Sequence, residues 1–290
     1  MTDTKDILKR VKKLEIKSRM LVEGLISGAY HSVFKGRGIE FSEVREYVPG
    51  DDIRAIDWNV TARMNLPYVK EFIEERDLIV YILFDASASG NFGSSKEKKE
   101  SGIELAASLM FAAQRNNDNV GLVIFTDRVE SFIPARKGRR HVLRLLSLLL
   151  QSKTLNKGTD IGKALGFIRK IAKKKSIIFI VSDFIADINY RKELQMLKSR
   201  HDVIAVGLTD LHESDIPDVG YIEIEDEETG EQIVVNTSDR EFRKRYRSIM
   251  QRHANALKRT MSGLGIGLVP LISGEDFQMA LGRYFKGRAT

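Results

Sequence analysis

One pattern, running from residue 78 to the C-terminus of this 290-residue chain, limits its fold more than any other: continuous apolar runs, each ending in a carboxylate, separated by segments of helical period. LIVYILFD (78–85), VGLVIFTD (120–127), SIIFIVSD (176–183) and VIAVGLTD (203–210) show no polar alternation. Strands buried on both faces of a parallel sheet read this way. Between them, KESGIELAASLMFAAQRN (99–116) carries apolar residues at 103, 106, 107, 110, 111 and 113, which is a helix period. HVLRLLSLLLQS (141–152) and DIGKALGFIRKIA (160–172) are further helices, the second with Ile161, Ala164, Leu165, Ile168 and Ala172 on one stripe. Another helix is expected near 190–199. VESFIPA (129–135) follows its predecessor after Arg128 alone, so it pairs antiparallel at an edge.

Beyond residue 210 the pattern loosens. YIEIEDEETGEQIVV (221–235) reads as a hairpin turning around Thr229-Gly230. A basic helix over about 238–261, a strand at 265–272 and a helix at 275–285 complete the chain. The fold expected is α/β: a doubly wound, mostly parallel sheet with one antiparallel edge strand, covered on both faces and spanning 78–290. Residues 1–77 lack the alternation. Within them 5–27 look helical and 36–70 look polar and turn-rich, an N-terminal segment expected to pack on the main domain.

Composition removes several classes of function. The absence of cysteine excludes disulfides, thiolate metal sites and cysteine nucleophiles. The N-terminus alternates charge without an apolar core, unlike a signal peptide, and the longest apolar runs fall far short of the ~20 residues that cross a bilayer. A cytoplasmic protein without a membrane span is expected. The net charge of +7 is uneven: 210–231 holds ten acids and no Lys or Arg, while RKGRR (136–140), RKIAKKK (169–175) and RKRYR (243–247) are basic. Such clusters attract polyanions, but Tyr246 alone is set among them, too little for a base-stacking platform. Solvated helix faces explain them more simply. The five histidines (31, 141, 201, 212, 253) are scattered and suggest no shared site.

In open α/β sheets, ligands bind beyond the carboxyl ends of the strands. There this sequence places Asp85, Ser87 and Ser89 after one strand, Asp183 after another, and Gly158-Thr159-Asp160 entering a helix. These are carboxylates and hydroxyls only, a hard oxygen environment suited to Mg²⁺ or Mn²⁺ rather than zinc or copper. Serine and threonine also cap helices, but capping does not account for two aspartates at the same rim. Asp160 has two readings, orienting the site from behind or starting a helix.

Asp85-x-Ser87-x-Ser89 with Thr159 and Asp183 resembles the metal-ion-dependent adhesion site of von Willebrand factor type A domains, most closely over 78–210. The resemblance implies that the serines and threonine bind the metal, that the aspartates act largely through water, and that a partner carboxylate completes the shell. The segment at 36–72 narrows this. Gly36, Gly38, Phe41, Glu43, Arg45, Tyr47, Gly50-Asp51-Asp52, Arg54, Asp57-Trp58 and Ala62-Arg63 resemble the signature of the bacterial family catalogued as domain of unknown function 58. Many members of that family begin with transmembrane helices, and none is expected from this sequence. Physically, Arg45, Arg54 and Arg63 beside Glu43, Asp51, Asp52 and Asp57 form either an ion-pair network pinning an irregular loop or, with Trp58, a docking surface for a partner.

The function these resemblances imply is a non-catalytic, metal-dependent protein-binding module. It would act as an adaptor with a MoxR-type AAA+ ATPase in remodelling a client, with an Asp or Glu of the partner reaching the metal. Two alternatives stand beside it. A Mg²⁺-dependent phosphohydrolase would use Asp85 as nucleophile, but that chemistry wants a second aspartate where Ser87 stands, and no GxxxxGK[ST] loop is present. The other is nucleic-acid binding through the basic helices, which would show steep salt dependence.

Overall fold

The structure, a computed structural model, describes residues 4–21, 40–73, 78–87, 95–152, 158–185, 190–210, 216–225, 232–275, 280–284 and 287. The chain divides into two compact units, one formed by 1–33 with 79–290 and the other by 34–78.

The larger unit is built on a six-stranded sheet. Its strands are β3 (Ile79–Asp85), β4 (Asn119–Phe125), β5 (Val129–Arg136), β6 (Ile177–Ser182), β7 (Asp202–Thr209) and β10 (Gly267–Ile272), in the order β10-β7-β6-β3-β4-β5. All neighbours are parallel except β4 and β5. Only three residues link β4 to β5, too few for a crossover. The architecture is therefore the α/β, mostly parallel sheet with one antiparallel edge strand that the apolar runs imply. The apolar runs are continuous because both faces are covered: in β3, Val80, Ile82 and Phe84 are as fully buried as Leu83.

Alternate side chains of β3 meet different helices. Tyr81 and Leu83 share a core with residues of α5 (Ile161–Ile171), α6 (Arg191–Lys198) and the end of α7 (Arg240–Gly263). On the opposite face lies α3 (Ser95–Arg115). A side chain at its Gly102 would meet Leu208 at 3.0 Å and Phe84 at 3.3 Å, so glycine allows the helix to approach the sheet closely. Beside α3 is α4 (Arg139–Gln151), which buries Val142, Leu145, Leu146 and Leu149.

The first helix, α1 (Thr4–Leu21), belongs to this unit and packs on α3 and α4. It buries Ile7, Val11 and Leu14, spaced at i, i+4 and i+7. Ion pairs flank this stripe: Arg10–Glu100 at 3.3 Å, Lys17–Glu104 at 2.6 Å, and a bidentate Arg139–Glu15 pair at 2.7 and 3.0 Å.

An antiparallel hairpin, β8 (Tyr221–Glu225) with β9 (Gln232–Asn236), stands as its own two-stranded sheet. The turn expected at Thr229-Gly230 lies outside the described residues, as do parts of the expected last helix, of which 280–284 are helical. In α7 only Leu257 and Met261 are buried, which leaves its basic N-terminal turns exposed. Tyr246 there stacks on Phe242, with ring centroids 6.4 Å apart.

The smaller unit pairs β1 (Glu40–Glu46) antiparallel with β2 (Tyr68–Ile73), and α2 (Trp58–Met64) lies between them in sequence. Gly50 turns the chain at φ +114°, a conformation that favours glycine. Asp52 then caps a 3₁₀ turn, Ile53–Ala55, by accepting from Arg54 N at 2.9 Å.

Candidate metal centre

Strands β3 and β6 are adjacent and parallel, with Phe84 opposite Val181, so their next residues, Asp85 and Ser182, meet at the rim. Ser182 Oγ donates to Asp85 Oδ2 at 2.7 Å, and the Ser87 amide donates to Oδ1 at 3.0 Å. The chain then bends sharply after β6. Phe184 has φ +56°, uncommon for a residue with a side chain, and its amide donates to Ser182 Oγ at 3.0 Å. That bend leaves Asp183 at the rim, where its Oδ1 accepts from Ile185 N at 3.2 Å.

Asp85, Ser87 and Asp183 line one cleft of about 20 Å³, room for a single water-sized species. Across it stands a residue that sequence reasoning missed. Lys98, in the first turn of α3, donates from Nζ to Asp183 Oδ2 at 3.0 Å, and the two side chains are only 2% and 5% exposed. Lys98 lies four residues before Gly102, so both share the helix face that approaches the sheet.

The rim's electrostatics follow from its burial. Loss of water, and then the Asp183 carboxylate, push Asp85 up to about 6, against the hydrogen bonds from Ser182 and Ser87. Tyr190 is likewise pushed up to about 12 by burial and by Asp183. Its hydroxyl is buried and has no hydrogen-bond partner among the described residues. Lys99, also lining the cleft, is lowered by desolvation, and its Nζ reaches the Ser152 carbonyl at 3.4 Å.

The remaining expected site residues fall as follows. Thr159 enters α5 on a loop tied to β4 by the Asp160 amide, which donates to the Thr126 carbonyl at 2.9 Å. It does not contribute to the lining of the cleft. Asp160 is the N-cap of α5: its Oδ1 accepts from Lys163 N at 2.9 Å and its Oδ2 lies 3.2 Å from Lys163 Nζ. Ser89 lies outside the described residues.

The residues present fit a hard divalent cation. The donors lining the cleft, Asp85, Ser87, Ser182 and Asp183, offer oxygens only, and the Lys98 ammonium already stands where positive charge is wanted. Among the described residues no three His, Cys, Asp or Glu side chains gather, so the carboxylates at this rim are Asp85 and Asp183, with hydroxyls supplying the rest.

In the smaller unit the aspartates are taken up locally. Arg45 grips Asp51 bidentately, at 2.7 and 2.8 Å, and the Val48 amide donates to Asp51 at 2.9 Å. Those contacts, Arg45 first, hold Asp51 down at about 2. Asp57 caps α2 through the Asn59 and Val60 amides, with Lys70 3.5 Å away. Partial desolvation would raise it, but these donors and Lys70 hold it below the usual carboxylate value. Arg54, Trp58 and Arg63 remain exposed, Trp58 to 66%. The side chain of Glu43 lies outside the described residues.

Among known proteins, the uncharacterized protein Rv1480 of Mycobacterium tuberculosis is 30% identical over 283 residues, covering 96% of this chain and 88% of the relative. A solved structure of BatB from Bacteroides thetaiotaomicron aligns at 18% identity and TM-score 0.46, over 73% of this chain and 98% of that one. Proximal thread matrix protein 1 of the mussel byssus, with a zinc-occupied MIDAS motif, aligns at 21% identity and TM-score 0.37, over 46% and 38%. No helix among the described residues is long and apolar enough to cross a membrane. The family model described as protein of unknown function DUF58 matches residues 43–256, and the chain belongs to that family.

Proposed function

We propose that this protein is a non-catalytic, metal-dependent protein-binding module, an adaptor for a MoxR-type AAA+ ATPase acting on a client. The observation that carries the reading is the convergence of Asp85, Ser87 and Asp183 on one small cleft at the carboxyl end of the central strands. The motif adds Ser89 and Thr159 to them as the expected oxygen donors for Mg²⁺ or Mn²⁺. A bound ion would supply an open coordination position that attracts an Asp or Glu of the partner. The protein's own part is positional. Ser182 and the Ser87 amide fix the Asp85 carboxylate, and the bend at Phe184 fixes Asp183 beside it. Arg54, Trp58 and Arg63 offer a second docking surface, whereas Arg45 is engaged in holding Asp51. An exposed tryptophan flanked by arginines has the composition that binding surfaces favour.

Catalysis is not part of this reading. A phosphohydrolase working from Asp85 wants an acid two residues on, and Ser87 offers a hydroxyl whose amide instead braces Asp85. Nucleic-acid binding is likewise less well supported, since Tyr246 stacks within its own helix.

The test is a pull-down from native cytosol with the full chain in Mg²⁺, in EDTA, and with Asp85→Ala. Capture of an AAA+ ATPase or its client in Mg²⁺ only, and by wild type only, is expected. Equal capture in all three would remove metal dependence from the account.

A further inference from the structure

We infer that Lys98 is a built-in counter-cation for the rim: its ammonium occupies Asp183 while no divalent ion is bound, and an ion enters by displacing it. The inference rests on the metal-binding reading above and adds a competitor and a moving part to it.

Four observations converge. The Lys98 ammonium lies 3.0 Å from Asp183 Oδ2, and the pair is almost wholly out of water. A lysine is seldom buried this far unless its charge is matched. The match is local to this rim, because a second carboxylate, Asp85, lines the same small cleft as Asp183 and Lys98. Without a cation, two carboxylates at this rim would repel in a poorly solvated space. The cleft between them holds about 20 Å³, one water-sized species, so an ion contacting Asp183 and an ammonium contacting the same carboxylate compete for one place. Finally, Lys98 is delivered by design of the helix rather than by chance. Gly102, on the same face one turn later, lets α3 approach Phe84 and Leu208 closely enough for Lys98 to reach the strand ends.

The charge arithmetic gives the competition its direction. A positive group a few ångströms from a divalent ion disfavours that ion, and neighbouring charges at such range typically change a proton affinity by ~1–3 pKa units. A comparable effect on a divalent ion corresponds to at least about tenfold in affinity.

The experiment uses the full chain with Mn²⁺ as the probe and has two arms. In the first, calorimetry compares Mn²⁺ affinity of wild type and Lys98→Met, with circular dichroism and an EDTA melt establishing that the variant is folded. Affinity at least about tenfold tighter in Lys98→Met is expected. In the second, which needs no variant, wild type is briefly acetylated in EDTA and in saturating Mn²⁺, and modification at Lys98 is read by mass spectrometry against the surface lysines. Lys98 protected in EDTA and modified in Mn²⁺ is expected. Equal affinities in wild type and Lys98→Met, or unchanged protection of Lys98, would overturn this inference while leaving the metal site intact. Absence of Mn²⁺ binding by both proteins would overturn the metal-binding reading and this inference with it.

Discussion

The two units of this protein each hold a carboxylate against a cation, and the two pairs behave oppositely. At the rim of the sheet, Lys98 and Asp183 are 2% and 5% exposed and sit beside a second carboxylate that is pushed up to about 6. In the 34–78 unit, Arg45 and Asp51 are 40% and 22% exposed, and Asp51 is held down at about 2. The first arrangement crowds carboxylates and ammonium groups into one poorly solvated cleft, which suits a site that takes an ion. The second neutralises charge as it forms, with a bidentate fork and a backbone amide, which suits a loop that must hold its shape. Sequence sets Arg45 six residues from Asp51, whereas 85 residues separate Lys98 from Asp183, so only the fold brings the rim pair together.

Breaking one partner of each pair should give the largest difference. Asp183→Ala removes the carboxylate that faces the buried Lys98 ammonium, and urea denaturation in EDTA should show a loss of up to about 3–5 kcal/mol. Arg45→Ala, at an exposed pair, should move the midpoint far less. Equal losses would mean that the rim pair is as solvated as the surface one.

The pH dependence should have opposite signs in the two units. Asp85 keeps its proton to about 6 when folded and releases it near its ordinary value of 3.8 when unfolded. Its contribution is thus most favourable below that lower value and is lost as pH rises towards 6, by up to about 3 kcal/mol. Asp51 does the reverse: its contribution is present above 3.8 and is lost as pH falls towards 2. Stability curves of metal-free wild type, Asp85→Asn and Asp51→Asn from pH 3 to 7 check both. Asp85→Asn should flatten the fall between pH 4 and 6, and Asp51→Asn should act only at the acid end.

Trp58→Ala should change stability least, by less than about 0.5 kcal/mol, because the ring is already in water. It should nonetheless weaken partner capture in the pull-down. A large stability loss would assign Trp58 to the fold of its unit, and unchanged capture would remove it from the docking surface.

The fold was largely legible because strands buried on both faces write themselves as unbroken apolar runs, and β3, β4, β6 and β7 are such strands. The antiparallel edge was legible from one number, the short link before β5. At the rim, Asp85, Ser87 and Asp183 could be read because strand ends of one parallel sheet must share a side. Lys98 could not: in SKEKKE (95–100) it is one cation among several, and no sequence mark shows that the approach of α3 at Gly102 brings it to the rim. Ser182 was within reach, since the rung after Phe84–Val181 sets it beside Asp85. Tyr190 was not: its ring lies 6.2 Å from that of Phe184, a residue at φ +56° with no sequence mark of a left-handed turn. Asp160 carried two readings, and in the structure its carboxylate serves the start of α5.

The most direct test of the central claim is calorimetry with Mg²⁺ and Mn²⁺ on metal-free full-length protein, beside the Ser87→Ala, Ser89→Ala double variant. One ion per chain bound by wild type and none by the folded double variant is the predicted result. Equal binding by the two proteins would contradict it and place any metal somewhere other than this rim.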